Sequence, residues 1–149
     1  MSRLFSMSVL VLALAGTSSA QSAAESADNI LPMSFHAPFA FYVGNTKFEA
    51  GDYTVEMDPR LNITRVRGTG GTAMVWTVLE SHSRAIHSPA SLTFNKYGED
   101  KYFLARFDDG RGLSEVTIPQ SKTEREIVSA RVVASGGGPG KIRVLASVR

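Results

Sequence analysis

Hydrophobic and polar residues alternate from Met33 to Val43. Met33, Phe35, Ala37, Phe39, Phe41 and Val43 fall on one side, and Ser34, His36, Pro38, Ala40 and Tyr42 on the other. Successive side chains of an extended backbone point to opposite faces, so a period of two predicts a strand with one buried face. Pro38 cannot donate a ladder hydrogen bond, which confines its neighbourhood to an edge or a bulge. A bend there would let the strand serve two sheets or turn a barrel corner. Past Gly44-Asn45, the residues Glu49 to Asp52 supply turn chemistry, and Tyr53, Val55 and Met57 resume the alternation.

Asp58-Pro59-Arg60 predicts a turn and Leu61 to Arg67 a short strand, which would also absorb the glycosylation-like triplet Asn62-Ile63-Thr64; Gly68-Thr69-Gly70-Gly71 then ends it. In the next strand, Thr72 to Leu79, the run from Ala73 is apolar on both sides. Such a strand is expected to be covered on both faces, which requires an element packed outside the sheet. Glu80 to Ala90 is polar and ends in Ser88-Pro89, the pattern of a long loop. Ser91 to Tyr97 and Lys101 to Asp108 form a hairpin around Gly98-Glu99-Asp100, bearing Leu92, Phe94, Tyr97, Tyr102, Phe103, Leu104 and Phe107. Aromatic cross-strand pairs add up to about 1 kcal/mol each, so this hairpin and the opening strand should hold most of the core energy. Asp108 to Gly112 turns the chain into a strand from Leu113 to Ile118.

After Pro119, Ser121-Lys122-Thr123-Glu124 fits a capping box, in which the Ser121 hydroxyl accepts from the Glu124 amide and the Glu124 carboxylate reaches back. Thr123, Ile127, Ala130 and Ala134 share one helical face, so a helix from about Ser121 to Val133 is expected to cover the Ala73 to Leu79 strand. The competing reading pairs Val128, Ala130, Val132 and Ala134 as a strand with Ile142, Val144, Ala146 and Val148; the cap and the charged first turn favour the helix. Lys141 to Val148 is a strand in both. The fold class is mainly β: an antiparallel sandwich or small barrel of about eight short strands, with one helix in the C-terminal region.

Residues 1–20 carry Arg3, an apolar run from Val9 to Ala15, and small residues at Ser18 and Ala20. This is the pattern of a cleavable secretory signal, and the run is shorter than the roughly 20 residues of a membrane anchor. Residues 21–31 are small and polar and read as a flexible leader, leaving residues 32–149 as a single β domain that is exported to the periplasm or the extracellular space. The chain has no cysteine. Disulfide scaffolds, cysteine nucleophiles, thiolate metal sites and a lipid anchor on cysteine are therefore excluded. Without Arg3, fifteen Lys and Arg face fourteen Asp and Glu. That balance argues against nucleic acid as a partner.

Two blocks resemble an uncharacterised family of small exported bacterial proteins. The first is Pro38 to Asn45 followed by Ala50-Gly51-Asp52-Tyr53-Thr54-Val55; the second is Phe94 to Gly98 with Tyr102-Phe103-Leu104, trailed by Pro119 to Glu126. The resemblance spans most of the mature domain. The family has no assigned activity, so it implies no catalytic roles.

Candidate chemistry is sparse. His36, His82 and His87, with Glu80, are residue types that bind zinc or copper, but their spacing matches no tight ligand motif and solvated loop histidines account for them more simply. Asp108-Asp109-Gly110 and Glu99-Asp100 lack the alternating ligands of a calcium loop and fit hairpin turns. Ser114 does not sit in a nucleophile elbow, and no cofactor motif is present. Phe39, Phe41, Tyr42, Trp76 and Tyr97 are candidate contacts for a ligand or a partner, against core packing as the simpler role. The expected function is a non-catalytic exported domain that binds an envelope or extracellular protein through a sheet edge or loop end. The alternative is a small barrel carrying an apolar molecule.

Overall fold

The computed structural model describes residues 32–81, 88–111, 114–135 and 138–148. The signal and leader expected over residues 1–31 lie outside the described residues. The protein is mainly β, a nearly closed barrel with one helix. The strands are β1 (Met33–Ala37), β2 (Phe41–Val43), β3 (Thr46–Phe48), β4 (Gly51–Asp58), β5 (Ile63–Gly68), β6 (Gly71–Trp76), β7 (Val78–Ser81), β8 (Ser91–Tyr97), β9 (Lys101–Asp108), β10 (Ser114–Thr117) and β11 (Gly140–Val148). The helix α1 (Lys122–Ser135) precedes the last strand.

Among the described residues eleven strands stand where about eight were expected, because two of the expected strands are divided and β3 is added. Pro38 divides the first. β1 lies in the middle of the sheet, antiparallel to both β11 and β4, whereas β2 crosses to β9 and pairs with it in parallel at Tyr42 and Phe103. The opening stretch is thus a corner rather than an edge, and the same alternation carries through it: Met33, Phe35, Ala37, Phe41 and Val43 are buried. Gly44 supplies the positive φ (62°) that turns β2 into β3. Its lack of a side chain also admits Val75 of β6, whose Cγ1 would lie 2.9 Å from a Cβ there.

Thr77 divides the second. β6 pairs with β5 and β7 pairs with β10, so the chain leaves one half of the sheet and enters the other at this residue. Its amide donates to the Asn62 carbonyl at 2.9 Å, and its hydroxyl meets the same carbonyl at 3.2 Å. Asn62 sits in the β4–β5 turn at φ 52°, not in a strand. The circuit β1, β4, β5, β6, β7, β10, β9, β8, β11 then returns to β1, while β3 and β6 remain the two ends of the main ladder path.

The interior is filled by rings. Phe41 stacks on Phe48 at 5.4 Å between centroids and meets Tyr53 and Phe94 edge-on at 5.0 and 5.4 Å. Tyr53 lies over Gly68, its cross-strand partner, where any Cβ would collide with the ring. Burying one such aromatic side chain contributes about 1.5–3 kcal/mol, so this cluster dominates the apolar stabilisation.

The helix does not cover β6 and β7 as the apolar pattern predicts. Ser121 caps it, its hydroxyl accepting from the Glu124 amide at 3.1 Å. The Glu124 carboxylate, however, turns to the barrel: Oε1 accepts from Asn95 Nδ2 at 2.8 Å and from the Tyr97 hydroxyl at 2.9 Å. Asn95 and Tyr97 are on β8, so the first turn of α1 docks against the outer face of that strand. Past that turn Ile127 is only half-buried and Ala130 is exposed.

Candidate binding surface

With α1 docked elsewhere, one face of the β6–β7 segment is left to solvent. An extended chain alternates its side chains, so Ala73, Val75, Thr77 and Leu79 point inward and Met74, Trp76 and Val78 point outward. These last three are 60%, 70% and 50% exposed, on either side of the Thr77 crossing. Across the β5–β6 ladder Trp76 pairs with Ile63 and Met74 with Arg65. Leu61, two residues before Ile63 in the β4–β5 turn, adds another exposed apolar side chain. Large apolar groups exposed in a contiguous row, rather than singly, mark interaction sites.

Charges frame the row. On β5, Arg65 and Arg67 share the Glu56 carboxylate at 3.0 and 2.7 Å. Beyond β7, Glu115 of β10 holds Arg106 at 3.2 Å. An apolar centre with a polar rim is a pattern that protein interfaces share.

The other candidate residues are placed as follows. Phe41 and Tyr97 are buried in packing, Phe39 is half-buried with its ring stacked on Tyr102 at 4.1 Å, and Tyr42 stacks on Phe103 at 4.9 Å. Trp76 alone of the five aromatic candidates presents most of its surface to solvent. His36 Nδ1 lies 2.8 Å from Asp52 Oδ1 on the exposed outer face of β1 and β4. This pair lines a shallow groove of about 700 Å³ with Ser34, Thr54, Arg67 and Leu145. The Ser34 hydroxyl is enclosed and hydrogen-bonds to nothing, so it is not joined to His36. His82 and His87 lie outside the described residues, and among the described residues no three His, Asp or Glu side chains converge. Glu80 belongs to β7, not to the long loop expected there. Asp108 and Asp109 serve their own turn, accepting from the amides of Gly110 at 2.7 Å and Arg111 at 3.0 Å.

Two phenols have altered acidity. Burial, then the hydrogen bond to Glu124, pushes Tyr97 up to about 12. Burial, then the Glu49 charge, raises Tyr53, whose hydroxyl donates to the Glu49 carbonyl at 2.6 Å. Both are structural anchors. At the surface, the hydrogen bond and charge of Glu49 raise Lys47.

Sequence patterning marked Trp76 but not its companions Met74, Val78 and Leu61, since it showed that both faces of the strand are apolar without showing which one is covered. No protein-family model, curated protein or solved structure matches the chain.

Proposed function

We propose that this is an exported, non-catalytic β-barrel domain that binds an envelope or extracellular protein through the outer face of β6 and β7. The observation that carries this reading is the row Met74, Trp76 and Val78, with Leu61 beside it, exposed on a rigid ladder. A second support is position. β6 ends the main ladder path, so the apolar face borders a sheet edge where a partner strand can add main-chain hydrogen bonds. The secretory pattern of residues 1–20 supports export. The filled interior, with Phe35, Phe41, Phe48, Tyr53 and Phe94 packed together, favours surface binding over carriage of an apolar molecule.

Native mass spectrometry of the domain isolated from its own host tests the reading. The expected result is a retained protein subunit that is lost from the Trp76→Ser, Met74→Ser variant. A subunit retained equally by that variant moves the interface elsewhere, and a retained apolar small molecule in place of a subunit overturns the reading in favour of carriage.

A further inference from the structure

A second surface, built from β11, β8, β9 and β10, has a different chemistry. The registers place Arg143 beside Thr93, Thr93 beside Arg106, and Arg106 beside Thr117, a row across the outer face of four strands. Lys141 lies next to that row, two residues from Arg143 along β11 and on the same side. Ser91, Thr93, Arg106, Asp108, Glu115, Lys141 and Arg143 line a groove of about 290 Å³ there. A register shift interrupts the β8–β9 ladder between Thr93 and Phe94, and bulges of this kind re-aim side chains at functional sites.

The charges in the groove are not balanced. Glu115 meets Arg106, and the Asp108 carboxylate caps the Gly110 amide. Lys141 and Arg143 instead hydrogen-bond to neutral oxygens: Lys141 Nζ to Asn95 Oδ1 at 2.9 Å, and Arg143 Nε to Ser91 Oγ at 3.0 Å. These contacts fix both side chains without neutralising them. The guanidinium keeps its remaining nitrogens for a carboxylate, in the fork geometry that arginine offers. Two residues of strand separate the two cations by about 7 Å at the backbone, a spacing that two carboxylates of one small molecule span.

We propose that this groove binds a small organic dianion of the dicarboxylate class, held between Lys141 and Arg143 over Thr93. The groove borders the apolar row through the Arg106–Glu115 pair, but Lys141 and Arg143 lie outside that row, so either reading can fail without the other. Isothermal titration calorimetry of the mature domain with succinate, at low and at physiological salt, tests it. The expected result is saturable binding in the millimolar range or tighter, weakened tenfold or more by Arg143→Gln and by Lys141→Gln. Lys122→Gln, which removes the same charge from exposed helix surface, should leave binding unchanged. Inorganic phosphate is the comparison anion and should bind more weakly. Absence of saturable heat overturns the proposal, as does binding that Lys122→Gln weakens as much as Arg143→Gln, or a preference for phosphate over succinate.

Discussion

The Tyr97 hydroxyl donates to Glu124 Oε1 at 2.9 Å and thereby ties β8 to the first turn of α1. The same oxygen takes a second hydrogen bond from Asn95, which in turn accepts from Lys141 of β11. Glu124 is buried, and its negative charge sits at the positive end of the helix dipole. The helix is held by polar groups at one end, not by an apolar stripe along its length.

Glu124→Ala should therefore destabilise the domain strongly, because it leaves two buried donors without an acceptor. A loss of about 2–4 kcal/mol is expected, larger than for Glu124→Gln, which keeps one acceptor oxygen. Urea unfolding midpoints of the two variants check the order. Equal, small losses would mean that α1 contributes nothing to folding through this contact.

Tyr97 adds a pH signature. Its pKa is raised from the ordinary value near 10 to about 12, so the fold favours the neutral phenol. The stabilisation is fully present below about pH 10, the unfolded value, and is lost as pH rises through about 12. Urea midpoints should fall across that window in the natural protein and fall less in Tyr97→Phe. Tyrosinate absorbance should show late-ionising phenols, Tyr97 and Tyr53, and Tyr97→Phe should remove one of them.

These contacts explain which parts of the structure were legible beforehand. The β8–β9 hairpin was readable residue for residue, because Gly98 to Asp100 marks the turn and the aromatics mark the strands. The corner at Pro38 and the cap at Ser121 follow from local chemistry, a missing donor and a hydroxyl acceptor. What could not be read was the choice between two apolar faces of the Thr72 to Leu79 segment. Alternation separates Met74, Trp76 and Val78 from Ala73, Val75 and Leu79, but the position of α1 decides what is covered, and that depends on Asn95, Tyr97 and Glu124 meeting across 27 to 29 residues of chain. The alternation of Ile142, Val144, Ala146 and Val148 marked the strand that carries Lys141 and Arg143 but did not single out the two cations, whose neutral partners Asn95 and Ser91 become neighbours only through the β8–β11 register.

The interior should respond unequally to the two phenylalanines that flank the corner. Phe41 is fully buried and contacts Phe35, Phe48, Tyr53 and Phe94, so Phe41→Ala should cost about 3–5 kcal/mol. Phe39 is half-buried against Phe94 and Tyr102, and Phe39→Ala should cost roughly half as much. Chemical denaturation of both variants measures the difference, and a cost under about 1 kcal/mol at Phe41 would contradict the register of β2 on β9.

Trp76 discriminates most sharply between an open and a covered β6. It is the only tryptophan of the chain, so fluorescence reports this position alone. At 70% exposure its emission should be that of a water-exposed indole and should be quenched efficiently by iodide in the isolated domain. Trp76→Ser should change folding stability by no more than about 0.5 kcal/mol, as for other exposed positions. A Trp76 lying beneath α1 would instead emit at shorter wavelength, resist quenching and cost about 3–5 kcal/mol when truncated. Binding of the proposed protein partner should convert the first set of spectral properties into the second without changing the fold, since the side chain would then be desolvated by the partner. A partner that binds while Trp76 stays fully quenchable would place the contact on another face of the barrel.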